Sequence, residues 1–210
     1  MNKIIVVGGG GHAKVVISLL LKNRTYEVVG YTDFKDKGPL LHIPYLGTDG
    51  DLASIKEQNC CLNAVIGLGN TFIDSRRKTI RERLDSLGFR LPIVVSSNAT
   101  VNLDVRLGAG TVLMDGVIIN SGTSIGECAI VNTGSSVDHD CTIGDYVHIA
   151  PGATLSGDVC VGTDSMIGTG AVVVQGVVIG EGCMIGAGAV VVEDCLLPGV
   201  YVGVPARRRR

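Results

Sequence analysis

The chain has 210 residues, with 18 Lys and Arg against 20 Asp and Glu, a net charge of −2, and 46% hydrophobic residues. This length allows one or two domains with a sizeable core. The balanced charge gives no electrostatic footprint for nucleic acid or an anionic membrane surface, and no apolar run is long enough to span a bilayer. No signal peptide precedes the first predicted strand, so a cytoplasmic location is expected.

The chain opens with an apolar, β-branched run, Lys3 to Val7, which reads as a buried strand. Four glycines follow, Gly8 to Gly11, and an amphipathic stretch from about His12 to Lys22 reads as a helix. A strand, a glycine turn and a helix form the setting in which backbone N–H groups and a helix N-terminus cradle phosphate. Gly8-x-Gly10-x-x-Ala13 fits a relaxed dinucleotide fingerprint. A second strand, Glu27 to Thr32, ends at Asp33, where such folds place a carboxylate on a ribose hydroxyl.

Asp49 to Gln58 then reads as a short helix, Asn63 to Leu68 as a strand ending at Gly69, and Ile73 to Leu87 as a helix carrying Arg76 and Arg77. Arg90 to Val95 is expected as a last strand. Residues 1–94 thus form a small βαβ-type, Rossmann-like α/β domain. It is too short for the two mononucleotide-binding halves of a dehydrogenase, so one nucleotide is the better fit than NAD.

From Val95 to Leu197 every sixth residue is Val, Ile or Leu. A period of six is not a helix period, and it marks a repeat protein. Four residues after each aliphatic position lies a small or β-branched residue, for example Thr123, Ala129, Cys141 or Ala171; Cys183 and Cys195 share that slot. Two residues after it the pattern is mostly polar or small. Two even positions pointing in and one pointing out require a corner in each unit, with Gly108, Gly126, Gly144, Gly162, Gly168, Gly180 and Gly186 suited to the turning. Residues 95–210 therefore read as a parallel β-solenoid. The seven cysteines read as structural or incidental, since Cys60 and Cys61 lack a second pair at metal spacing.

Two hexads carry chemistry. Val137-Asp138-His139-Asp140 places a histidine outward between two carboxylates, and His148 follows just before the next corner. A carboxylate on one ring nitrogen fixes the tautomer and raises basicity, leaving the other nitrogen to accept a proton. No third ligand shows metal spacing, so no metal is expected.

GGGGHAKVV, VDHDC, YVHIAPGATLSGDV and GVYVGVPAR occur in that order along nearly the whole chain. Together they resemble the hexapeptide-repeat sugar acetyltransferases of the bacillosamine and perosamine pathways and their sialic acid O-acetyltransferase relatives. The resemblance implies a left-handed β-helix with three hexads, about eighteen residues, per coil. On that coil length, residues a coil apart stack at about 4.8 Å: Gly157 lies over His139, its N–H a candidate oxyanion donor, and the small residues Gly157, Thr169 and Ala187 leave an open track for a long, thin ligand. The resemblance also implies transfer of acetyl from acetyl-CoA to an amino group on a nucleotide-linked deoxysugar, and a homotrimer with active sites between neighbouring β-helices.

In that carry-over His139 is the base and Asp140 raises its basicity. His148, Gly157, Thr169 and Ala187 fall where acetyl-CoA binds, and Gly10, Gly11, His12, Thr32, Asp33 and Gly69 where the sugar nucleotide binds. The spacing after Gly69 departs from the family pattern by two residues, which leaves the phosphate contact open among Arg76, Arg77 and the Arg207 to Arg210 tail. A UDP-4-amino sugar is the favoured acceptor. A GDP-linked amino sugar such as perosamine, a sialic acid hydroxyl, and a non-catalytic sugar-nucleotide-binding solenoid are the alternatives.

Overall fold

A computed structural model describes residues 2–69 and 75–209. They divide into two compact units, one covering residues 2–69 and 75–92, the other residues 93–209.

The first unit is built on a four-stranded parallel sheet. Strand β1 (Asn2–Val7) lies between β2 (Tyr26–Thr32) and β4 (Asn63–Ile66), and β3 (Tyr45–Gly47) pairs with the outer edge of β2. Ile4 to Val7 are fully buried, as an unbroken apolar run in the middle of a parallel sheet should be. Helix α1 (Gly11–Asn23) buries Ala13, Val16, Ile17, Leu19 and Leu20 and ends on Arg24 in the left-handed conformation.

Thr48 caps the next element through a reciprocal bond with Asp51, starting a 3-10 turn (Asp49–Asp51) that runs into α2 (Leu52–Asn59). Helix α3 (Arg76–Ser86) follows; the start expected for it at Ile73 lies outside the described residues.

Two expectations change here. Strand β3 was not legible, because its three residues are too few to show a period. The strand expected over Arg90 to Val95 splits: Arg90 makes a single bridge to Asn63, while Val94–Val95 pairs with Val112–Leu113 in the second unit. Pro92, with no N–H, stands between the two pieces.

The second unit is a parallel β-helix. Its strands are mostly two residues long and stack with a register of eighteen, as in Ser124 opposite Thr142 and Thr142 opposite Cys160. Three sheets run its length. The aliphatic column is buried from Leu113 to Val191, and so is the small column four residues later. Thr111, Thr123 and Ser165 pay for burial of their hydroxyls in one repeated way. Each donates to the carbonyl fifteen residues on and accepts the N–H eighteen residues on, as Thr123 does with Asp138 (2.7 Å) and Cys141 (3.1 Å).

The corners are not where the glycine count placed them. The left-handed residue is the third after each aliphatic, from Asp104 through Gly122, Asp140 and Asp158 to Gly188. None of the seven glycines expected to turn the chain has a positive φ. They answer to a different constraint: a Cβ on Gly108 would sit 2.4 Å from the backbone of Gly126, and one on Gly162 2.5 Å from that of Glu181. That column is glycine because adjacent coils approach too closely for a side chain.

Burial raises the thiol pKa of Cys61, Cys141, Cys183 and Cys195, the last to about 11. Protonated and enclosed, these thiols pack as small apolar groups. Among the described residues no helix is long and apolar enough to cross a membrane.

Candidate active site

His139 projects outward from the corner that follows the strand Ser136–Val137, with about half its side chain exposed. Its Nδ1 lies 2.9 Å from Oδ2 of Asp140. A carboxylate can only accept, so Nδ1 carries the hydrogen and Nε2 keeps its lone pair. Asp140 reaches that position because it occupies the left-handed corner, with φ +59°, a conformation that Asp tolerates better than most residues.

On the other side Asp138 Oδ1 accepts the His139 N–H at 2.8 Å and the Asn120 side-chain amide at 2.7 Å. The same bonds lower the Asp138 pKa. The hydrogen bond to Asp140 is the main influence raising the His139 pKa above the usual 6.5; partial desolvation opposes it, and the charges of Asp138, Asp140 and Asp158 add to it.

Gly157 lies one coil above. A Cβ built on it would stand 2.5 Å from both Cε1 and Nε2 of His139, so the imidazole occupies the space that a side chain at 157 would fill. Register bonds carry the column upward, from Asp158 N to His139 O (2.9 Å) and from Gly176 N to Gly157 O (3.0 Å). On the neighbouring face Gly170 N donates to Pro151 O and Gly188 N to Thr169 O, which stacks Pro151, Thr169 and Ala187 as expected, all three exposed.

His148 is placed differently from an outward histidine. It is 5% exposed and opens the strand His148–Ile149. Its Nε2 lies 3.2 Å from Asn132 Nδ2. The Asn132 oxygen takes the Thr133 N–H at 2.8 Å, which identifies the other terminus as the NH₂ donor. His148 Nε2 is therefore the acceptor and its hydrogen sits on Nδ1. Asn132 gave no sequence signal of its own; only its place sixteen residues before a histidine in an eighteen-residue coil could have suggested it.

In the first unit, Gly10 is the N-cap of α1 and Gly11 its first residue. A Cβ on either would meet nothing within 4 Å, so the backbone there is open. No acidic residue stands in the first turn of α1 to oppose an anion. His12 follows, partly buried, and Gly69 keeps the β4 end clear of it: a Cβ at 69 would lie 3.3 Å from His12 Cβ.

Asp33 is 8% exposed and engaged at both oxygens, Oδ1 by the Phe34 N–H (2.7 Å) and Oδ2 by Lys37 Nζ (2.6 Å). Lys37 also reaches the Gly9 carbonyl at 3.4 Å and lies 5.2 Å from the centre of the exposed Phe34 ring. Sequence reading missed Lys37, which brings a cation to the glycine turn from a loop with no periodic pattern. Thr32 is fully buried and its hydroxyl donates to Asp49 at 2.8 Å, so its side chain braces the turn. Arg77 is 3% exposed within α3.

The comparisons agree with this division. The PglD N-terminal domain family matches residues 3–84, and the bacterial transferase hexapeptide (six repeats) family matches residues 122–157 and 159–193. No curated protein matches the chain. Among solved structures, the acetyltransferase domain of PglB from Neisseria gonorrhoeae in complex with acetyl coenzyme A is 36% identical over the full length of both chains, with a TM-score of 0.93.

PerB from Caulobacter crescentus, in complex with CoA and GDP-perosamine, is 36% identical with a TM-score of 0.93, over 100% of this chain and 98% of that one. WeeI from Acinetobacter baumannii is 30% identical over the full length of both, with a TM-score of 0.89. The fold is thus a Rossmann-like domain followed by a left-handed parallel β-helix. The chain belongs to the hexapeptide-repeat sugar acetyltransferases, in the group that holds PglB and perosamine N-acetyltransferase.

Proposed function

We propose that the protein transfers acetyl from acetyl-CoA to the amino group of a nucleotide-linked amino-deoxysugar. The observation that carries this reading is the His139–Asp140 pair, with Nδ1 held at 2.9 Å and Nε2 left as an open base against Gly157.

The acceptor amine attacks the thioester carbonyl and Nε2 takes its proton as the N–C bond forms. The Gly157 N–H, one coil from the base, is placed to meet the developing oxyanion. Collapse breaks the C–S bond, and the proton held by His139 goes to the departing thiolate. The small, exposed residues Thr169 and Ala187 leave room for the pantetheine arm, while Gly157 is buried against the His139 ring. His148, with Nδ1–H and a bonded Nε2, supports this wall from within the coil.

The sugar nucleotide belongs to the first unit. The open backbone of Gly10 and Gly11 at the start of α1 favours a diphosphate, and Lys37 offers a counter-charge that Asp33 holds in reserve. His12 and Gly69 border that turn, and Thr32 and Asp33 shape it. UDP is our preferred nucleotide. GDP is the second reading, because the similar PerB was solved with GDP-perosamine. The protein acts as a homotrimer in the cytoplasm, its outward sites closed by neighbouring β-helices.

Incubation with acetyl-CoA and a panel of UDP-, GDP- and CMP-sugars, followed by mass spectrometry, tests the reading. A gain of one acetyl group on a UDP-amino sugar is expected. Acetylation of a GDP-amino sugar alone replaces the nucleotide, acetylation of a sialic acid hydroxyl replaces the acceptor, and no acetylation of any acceptor overturns catalysis.

A further inference from the structure

The dyad is seated on the coil below it. Residues 120–123 lie one register beneath residues 138–141, and each of the four meets them. Asn120 donates to Asp138 Oδ1 at 2.7 Å and itself accepts from Asn102, one coil further down, at 2.7 Å. The Ser121 carbonyl accepts the Asp140 N–H at 3.1 Å. Thr123 takes the Cys141 N–H and donates to the Asp138 carbonyl.

The Thr123 bonds recur in other coils at Thr111 and Ser165, and carbonyl-to-amide register bonds recur throughout. Asn120 and Gly122 are different, because what they meet is the functional hexad itself. A Cβ on Gly122 would lie 2.4 Å from Asp140 Oδ1. The Asp140 carboxylate therefore rests on the bare backbone of Gly122 while its other oxygen bonds His139.

We propose that Gly122 and Asn120 are positioning residues for the base: Gly122 keeps clear the space through which Asp140 reaches His139, and Asn120 fixes, through Asp138, the peptide that carries the ring. This inference rests on His139 and Asp140 being the catalytic pair.

Both residues act through the dyad, so the test needs a readout that a merely structural role would not move. His139 is faced by Asp138 and Asp140 on its own coil and by Asp158 on the coil above, while Asn120, Ser121 and Gly122 below are neutral. Loss of the Asp140 bond then lowers the ring's basicity and shifts the acid limb of the kcat/KM profile to lower pH. Gly122→Asn is the informative variant, because Asn tolerates the left-handed φ of +78° but brings the forbidden bulk. Gly116→Asn is its control: φ there is +74°, and a Cβ meets only ordinary contacts, at 3.6 Å.

Gly122→Asn is expected to lower kcat about tenfold, a part of what a positioned base supplies, leaving the KM for acetyl-CoA unchanged and moving the acid limb downward. Added to Asp140→Asn it should cost nothing further, since both remove one interaction. Asn120→Ala should lower kcat in the same way, with Asn120→Asp unable to rescue it, since a second carboxylate facing Asp138 repels it. Gly116→Asn should keep full activity and match Gly122→Asn in melting temperature.

A Gly122→Asn enzyme with unchanged kcat and pH profile overturns the proposal while leaving the dyad intact, as does a multiplicative loss in the double variant. If His139→Ala and Asp140→Asn are themselves fully active, the dyad reading has failed instead.

Discussion

The imidazole of His139 lies where the side chain of residue 157 would be: a β-carbon there would stand 2.5 Å from Nε2. Gly157 has no positive φ, so alanine costs nothing in backbone conformation. Gly157→Ala should therefore fold with a melting temperature close to that of the parent, yet swing the ring away from its working position. A misplacement of this size at a reacting group typically costs about 10²-fold. Steady-state kinetics should show that loss in kcat. Unchanged turnover would place the working nitrogen elsewhere.

His139→Ala removes the base itself. A positioned base contributes about 10²- to 10⁴-fold, and the loss should fall on kcat, with the KM for acetyl-CoA near its original value. Single-turnover acetylation at saturating substrates measures it. Full turnover would pass the role to another group, with His12 or His148 the histidines to try next.

Much of this was legible. Spacing of six gives the solenoid, its stacking column and the outward place of His139, because a two-residue strand leaves no freedom in which face a residue takes. The corner was not read. The eye goes to the glycines at 108, 126, 144 and 162, yet these mark close approach of backbones, while the turning residue is three after the aliphatic and is Gly at most corners but Asp at 104, 140, 158 and 164.

That oversight hid two things: why Asp140 is in reach of the ring, and why position 122 is Gly. His148 was read only as standing just before a corner; the strand that begins on it buries it, which the spacing alone did not show. Strand β3 and Lys37 were invisible for a simpler reason, since neither belongs to a periodic segment.

Thr123→Val tests the interior ladder. Thr123 is fully buried, and its hydroxyl both donates to the Asp138 carbonyl and accepts the Cys141 N–H. Valine keeps the shape but leaves both partners unsatisfied, at a cost of about 1–3 kcal/mol per group. Chemical denaturation of the full chain should show the unfolding free energy falling by about 2–6 kcal/mol, the sum for two such groups, with a lower midpoint and an unchanged m-value. A neutral result would mean that water replaces the hydroxyl.

The pH dependence follows from the sign of the His139 shift. The ring must be neutral to accept a proton, and Asp140 raises its pKa above 6.5. Activity should therefore climb with pH along an acid limb centred above that value. Asp140→Asn keeps a group able to sit in the left-handed corner but removes the charge that favours imidazolium. Its acid limb should move to lower pH while its plateau falls, because the ring loses basicity and orientation together.

Stability runs the opposite way along the same axis. A group whose folded pKa is raised contributes stability that is complete below its unfolded value and is lost as pH rises through the folded value. The His139–Asp140 pair thus helps the fold most at acid pH, where the enzyme is least active. Kinetics and thermal melts on parent and Asp140→Asn across roughly pH 5 to 9 should separate the two trends. An acid limb in Asp140→Asn that coincides with the parent's would show that Asp140 does not set the basicity of the group that takes the proton.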